Sequence, residues 1–253
     1  MKKYFAVFML GTGRSLSKIL IGAALMAALE IVAFNFLGIA VSHGEDMTRA
    51  DTFNDCLVRS KIIWIYLVIS FATTVISVIT WKNSLRPDET YDRIRIKRNT
   101  SFLMTSLAAA LVYLFFWLVQ GMLVILLYKT YSGNGETLTD IGTFISLHDD
   151  PLLAVLFPLN RPERWLITIV RIFGIGVSCA TFEYREYVIV GAAGILLYGY
   201  SMISDGYGRF FPLGFFFMGV FCTILLILGN TGFGRNLVKG TDTYSSSGEV
   251  DER

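Results

Sequence analysis

Charge is what this chain has least of. Only 17% of its 253 residues are Asp, Glu, Lys or Arg, against 54% hydrophobic residues, where soluble domains carry about a quarter charged. That shortage excludes an ordinary water-solvated globule and points to an integral membrane protein. A formal net charge of +2 is too small for nucleic-acid binding. Cysteine is also scarce: Cys56, Cys179 and Cys222 form no even set, and the last two fall within apolar runs, so no disulfide framework can be read. The two histidines, His43 and His148, both fall between apolar runs. "HDD" at 148–150 would hold a metal only if further ligands converged on it, so no metal site is expected. "FEYREY" at 182–187 would need histidines on later spans to act as an intramembrane protease, and there are none. No GxSxG with a histidine partner occurs either, so the chain is not expected to be an enzyme.

What is abundant is long apolar sequence. A helix needs roughly 20 mainly apolar residues to cross about 30 Å of hydrocarbon, because unpaired backbone groups are not tolerated there. Six stretches qualify: Ile19 to Val41, Ile62 to Trp81, Phe102 to Tyr128, Trp165 to Phe182, Tyr187 to Ile203 and Phe210 to Gly229. The expected fold is an all-α membrane protein with one transmembrane domain over 1–240 and a disordered polar tail over 241–253. The opening "MKKYFAVFML" reads as a short interfacial helix rather than a cleaved leader, with Tyr4, Phe5, Phe8 and Met9 recurring near helical spacing beside Lys2 and Lys3. "GTGRS" at 11–15 then reads as a flexible joint into span one. It does not fit the phosphate-binding pattern GxxxxGK[ST].

Lys and Arg set the orientation, since they are retained on the cytoplasmic side. With the amino terminus inside, fourteen of the 22 basic residues face the cytoplasm and seven face out, leaving Arg171 within a span. Both termini are therefore expected in the cytoplasm. The long outer segment from Lys129 to Arg164 contains "IGTFISLHDDPLLAVLFPLN", too broken by Asp149, Asp150, Pro151 and Pro158 to cross. It is expected to lie on the membrane surface.

Three sets of residues draw notice. In "RPDETYDRIRIKRN", residues 86–99, Pro87 suits a helix's first turn, Asp88, Glu89 and Asp92 lie near the amino end, and basic residues follow. That basic loop fits anchoring to anionic lipid headgroups. It equally fits docking of a short helix, with Tyr91 and Ile94 on one side, into a soluble subunit. Second, Glu30 and Arg171 are ionisable residues inside spans, each at a cost of about 2.5–3.5 kcal/mol. Both fall in the outer half, so a Glu30–Arg171 pair across spans one and four is the expectation. Third, Asn35 and Gln120 could bond between helices, and Ala24 with Ala28, Gly174 with Gly176, and Gly191 with Gly194 could let helices approach closely.

An amino-terminal interfacial helix, six spans, a basic cytoplasmic helix between spans two and three, and an outer surface segment together resemble the permease subunit of ABC-2 type ABC transporters. The stretch "TYDRIRIKRNTSFLMTSLAAALVYLFFWLVQ" is also similar to segments of multi-pass membrane proteins from Gram-positive bacteria. The resemblance covers nearly the whole chain as layout, without a diagnostic motif. It implies a multi-pass protein of the cell membrane that binds no cofactor itself, with ATP on a partner ATPase subunit. It further implies pairing as a homodimer or with a related permease, and ATPase docking through 82–98, notably Pro87, Asp88, Tyr91, Arg93 and Ile94. The other class left open is a non-transporting membrane protein, an assembly or sensory partner whose basic loop anchors to lipid.

Overall fold

The computed structural model describes residues 2–39, 53–84, 98–134, 162–183, 187–206 and 212–230. Seven α-helices form in these segments: α1 (Lys2–Ala33), α2 (Phe53–Arg59), α3 (Ile62–Ser84), α4 (Arg98–Asn134), α5 (Pro162–Ala180), α6 (Val188–Gly206) and α7 (Pro212–Asn230). A π-helical turn, Phe34–Ile39, extends α1, and a 3-10 turn, Thr181–Glu183, extends α5. No strand occurs among the described residues.

Five helices are long and apolar enough to cross a membrane, over Ser15–Gly38, Ile62–Trp81, Thr100–Tyr131, Val188–Asp205 and Leu213–Asn230. The chain is thus an all-helical, multi-pass membrane protein. The expected fourth span forms a helix, α5, but Glu163, Arg164 and Arg171 interrupt its apolar character and it is not one of the five.

The distribution of side chains is inverted relative to a water-soluble bundle. Leu16, Leu20, Leu25 and Leu29 of α1 and Leu213, Phe217, Phe221 and Leu228 of α7 point outward, while Glu30, Gln120, Ser70, Thr74 and Ser201 are fully buried. In water this would be unstable, because large exposed apolar surface and buried polar groups both cost free energy; lipid around the bundle removes the first cost. The inward hydroxyls answer the second largely within their own helices. Thr74 donates to the Ser70 carbonyl at 2.7 Å, Ser77 to that of Thr73 at 2.7 Å, and Ser106 to that of Phe102 at 2.8 Å.

Side-chain contacts fix the order and direction of the helices. Gly22 of α1 abuts Thr73 of α3, and Lys18 Nζ donates to Thr80 Oγ1 at 2.7 Å, so these two helices run antiparallel. In α4 and α5, Trp117 meets Trp165 at a centroid distance of 5.6 Å while Gly176 lies against Ser106 and Ala110. Gly191 and Gly194 of α6 pack on Thr181 and Ser178, and Tyr187 and Tyr198 meet Gly229 and Gly219 of α7. Each long helix therefore reverses the one before it. The principal neighbours of α1 are α3 and α4, whereas α5 packs against α4, α6 and α7.

Several expectations need correction. Helix α1 runs without a break through "GTGRS", so residues 2–14 continue span one instead of joining it by a flexible hinge. At 1.5 Å per residue its 32 residues extend about 48 Å, more than the hydrocarbon thickness. The two glycines do not break it, since each costs only about 1 kcal/mol relative to alanine within a helix. Ala24 and Ala28 face outward; the close approach on α1 is made by Gly22. Gly174 and Gly176 of α5 and Gly191 and Gly194 of α6 do mediate close packing. The outer surface segment around 141–160 and the tail 241–253 lie outside the described residues.

Part of the loop expected between spans one and two is helix α2. Phe53, Cys56 and Leu57 are buried, and the Phe53 ring lies 5.8 Å from Phe34, 5.3 Å from Tyr128 and 5.5 Å from Tyr131. Helix α2 thus caps the bundle where α1 ends. It turns into α3 through Lys61, the one non-glycine residue with positive φ among those described, at 54°. A side chain in the left-handed region costs roughly 1–2 kcal/mol, which glycine does not incur. Lys61→Gly should therefore raise stability by about 1 kcal/mol, seen as a higher midpoint of thermal unfolding in detergent.

A close backbone approach between α4 and α5 gives the opposite expectation. A Cβ on Gly176 would lie 2.8 Å from both the Ala110 nitrogen and the Ser106 carbonyl oxygen, neither of which can rotate away. Gly176→Val should push α5 off α4 and cost about 1–3 kcal/mol. The matched Phe173→Val change on the outward face of α5 should cost less in the same unfolding assay.

Candidate functional site

Buried hydroxyls occur along the whole bundle, but Glu30, Gln120, Tyr66, Tyr113 and Arg171 are buried at neighbouring levels and form a polar layer across α1, α3, α4, α5 and α6. Helix α1 turns Ile19, Ala23, Met26, Glu30 and Phe34 inward at spacings of three or four, so Glu30 continues an otherwise apolar inner stripe. It meets Gln120 of α4, whose Nε2 donates to Glu30 Oε2 at 3.0 Å. The other oxygen of each group, Glu30 Oε1 and Gln120 Oε1, is buried without a hydrogen-bond partner among the described residues.

Next to this pair stand two tyrosines. Tyr66 of α3 and Tyr113 of α4 are fully enclosed, with ring centroids 6.1 Å apart, and Phe71 stacks on Tyr113 at 5.5 Å. Tyr66 lies within electrostatic reach of Glu30 and Tyr113, and Tyr113 within reach of Arg171. The Tyr113 hydroxyl donates to Met202 Sδ at 3.6 Å. The Tyr66 hydroxyl faces Tyr113 without closing a bond of good geometry.

At the far side of the layer is Arg171. Its Nη2 donates to Ser201 Oγ at 2.8 Å and makes an ion pair with Asp205 Oδ2 at 3.3 Å. The guanidinium carbon also lies 5.8 Å from the Phe216 ring centroid, within the range of a cation–π contact. Ser201 and Asp205 are four residues apart on α6 and so share the face that meets α5. Among the described residues the buried Arg171 Nε has no hydrogen-bond partner, so the pair with Asp205 runs through Nη2 and is not a two-pronged fork. Beyond it Tyr198 and Thr223 join α6 to α7 through their hydroxyls at 2.9 Å.

The expected Glu30–Arg171 pair is therefore replaced by two separate partnerships. Both residues are buried at comparable depth, but α3 and α4 supply the main neighbours of α1, and α6 offers Arg171 a nearer carboxylate. Gln120 makes the interhelical bond expected of it. Asn35 instead donates to the Ile31 carbonyl of its own helix at 2.8 Å. Residues Pro87, Asp88, Tyr91, Arg93 and Ile94 lie outside the described residues, as do His43 and His148. Sequence reading missed Asp205, because the fifth span was ended at Ile203. Its signal was present: Ser201, Ser204 and Asp205 place polar groups at helical spacing on the final turns of α6. Tyr66 and Tyr113 gave no signal, since a tyrosine in a span is as easily packing as site.

Among the described residues no three His, Cys, Asp or Glu gather as metal ligands. Compared with known protein families, curated proteins and solved structures, the chain matches none.

The ion pair has a measurable consequence. Removing one member of a buried pair strands the other charge, which costs about 3–5 kcal/mol, whereas replacing both by apolar groups is often neutral. Asp205 is 22% exposed, so water softens the loss. Asp205→Ala should destabilise by about 3 kcal/mol, the low end of that range, and the Arg171→Met, Asp205→Leu double variant should recover most of it. A double-mutant cycle on unfolding in detergent measures both.

Proposed function

We propose that this chain is the membrane-spanning permease subunit of an ATP-driven transporter, with nucleotide hydrolysis on a separate ATPase subunit. The single observation that carries the reading is the polar layer. Glu30, Gln120, Tyr66, Tyr113, Arg171 and Asp205 meet inside a lipid-facing bundle, where such groups are expensive and tend to line substrate or ion pathways. A protein that only anchored to lipid would gain nothing from them.

In this reading α5 is a sixth span. Its outward residues Leu166, Ile169 and Phe173 are apolar while Thr168, Arg171 and Ser178 point inward, the arrangement a lipid-facing helix needs. Six alternating helices return the chain to its starting side, and the Lys and Arg bias makes that side the cytoplasm of a cell-membrane protein. The loop 82–98 then faces the cytoplasm between α3 and α4, the two helices that hold Tyr66, Tyr113 and Gln120. Force applied by an ATPase at that loop would reach the polar layer along α3 and α4. Helix α5 lies between α4 and the α6–α7 pair, so a shift of α4 would be passed on through Gly176 and Arg171.

The second reading, a non-transporting assembly or sensory protein, draws support from α1. Its unbroken course leaves no separate interfacial helix at the start of the bundle. Co-purification separates the two. For a permease, an ATPase subunit should accompany the solubilised protein in stoichiometric amount and be lost on Tyr91→Asp or Ile94→Asp. Unchanged partners and no associated ATP hydrolysis would favour the second reading.

A further inference from the structure

The Glu30–Gln120 pair is incomplete in a particular way. One hydrogen bond joins Gln120 Nε2 to Glu30 Oε2, and the atoms left unpartnered are the two remaining oxygens of the same two groups. Two oxygens cannot bond each other without a hydrogen between them, and a carboxylate brings none. Nor does a cation supply the balance. Among the described residues no Lys or Arg lies within ion-pair distance of Glu30, and Arg171 is committed to Asp205. The groups facing Glu30 from its neighbours are neutral: Tyr66 from α3 and Gln120 from α4, with Tyr113 intervening before Arg171.

We infer that Glu30 is a proton-binding site, in which a proton on Oε1 is donated to Gln120 Oε1 and closes a cyclic acid–amide pair between α1 and α4. One proton then satisfies both orphaned oxygens and removes an uncompensated charge from the bundle interior. The step is a proton transfer with no change of oxidation state: an O–H bond of hydronium breaks, leaving water, as an O–H bond forms on Glu30 Oε1. Release requires the reverse, which leaves two bare oxygens facing one another and favours separation of α1 from α4. Proton occupancy is thereby tied to the spacing of these two helices. The inference does not rest on an ATPase partner and holds equally for a non-transporting protein.

Infrared spectroscopy of the full chain in lipid nanodiscs tests it. At neutral pH the spectrum of the protein minus that of Glu30→Gln should contain the C=O band of a protonated carboxyl, lowered by exchange into heavy water. In Gln120→Leu the same band should move to higher frequency, because its acceptor is gone. That is a change a merely structural role would not produce. Glu30→Gln, whose amide can donate as the acid does, should retain the thermal midpoint of the unmodified protein. Carboxylate bands in place of the C=O band would overturn the inference. So would a C=O band abolished by adding sodium chloride, since the occupant would then be a metal cation.

Discussion

Everything in this structure depends on the absence of water around the bundle. In hydrocarbon a polar group has no solvent to fall back on, so each one must be turned inward and given a partner within the protein. That constraint explains why the outer surfaces of α1 and α7 are nearly continuous Leu, Ile, Phe and Met, and why the interior contains serine, threonine, tyrosine and charge. It also explains how the helices can touch. Apolar side chains gain little from leaving lipid for protein, so close contact through glycine takes over as the adhesive. Gly22, Gly174, Gly176, Gly191 and Gly194 all lie where a Cβ would overlap a neighbouring helix.

The same constraint ranks the polar contacts. Hydroxyls are the least demanding, because each can return its proton to a carbonyl one turn back on its own helix, and most of those on α3 and α4 do so. An arginine has no such local remedy. Arg171 must import its acceptors from α6 and the face of Phe216 from α7, and in doing so it fixes how three helices sit together. Glu30 is more exacting still, since no counter-charge among the described residues reaches it. Only an amide from α4 answers it, and that leaves half of its hydrogen-bonding capacity to be met. The two ends of the layer thus solve burial differently, one by ion pairing and one by amide contact, with Tyr66 and Tyr113 between them.

Legibility in the sequence follows the same physics. The apolar runs match the apolar stretch Ile62–Trp81 and lie within a few residues of the other four, because hydrocarbon imposes a minimum length and tolerates few charges, but they gave no sign that helix α1 starts as early as Lys2. The identity of the residues that would be buried and polar was legible too: Glu30, Gln120 and Arg171 are conspicuous by composition alone. Their partners were not, because depth along a span says nothing about which spans are adjacent. Asp205 lay two residues beyond the expected end of the fifth span and was not weighed as a partner for Arg171; the packing of α5 against α6 is what brings it there. Helix α2 was hidden for another reason. Seven residues carry too short a pattern to stand out, and its helical form is stabilised by Phe53 entering an aromatic cluster built from α1 and α4.

The placement of these features gives the bundle a mechanical asymmetry. At the Gly38 end, α2 closes over the tips of α1, α3 and α4, and the polar layer lies just beneath it. Toward the other end, glycine, alanine and back-bonded hydroxyls make many of the contacts between helices, beside a small apolar cluster of Phe102, Val177 and Leu226. Small-residue contacts resist compression but hold few directional bonds, so helices can tilt about them at modest cost. The polar layer is the reverse: its bonds are directional, and opening any one of them exposes an unsatisfied group to a medium that cannot solvate it. A motion that starts at the far ends of α3 and α4 would therefore pivot on the glycine contacts and concentrate its cost at Glu30, Gln120, Tyr66 and Tyr113. Those residues can be uncovered only when something, whether a proton, water or a passing solute, takes the place of the partner that has moved away.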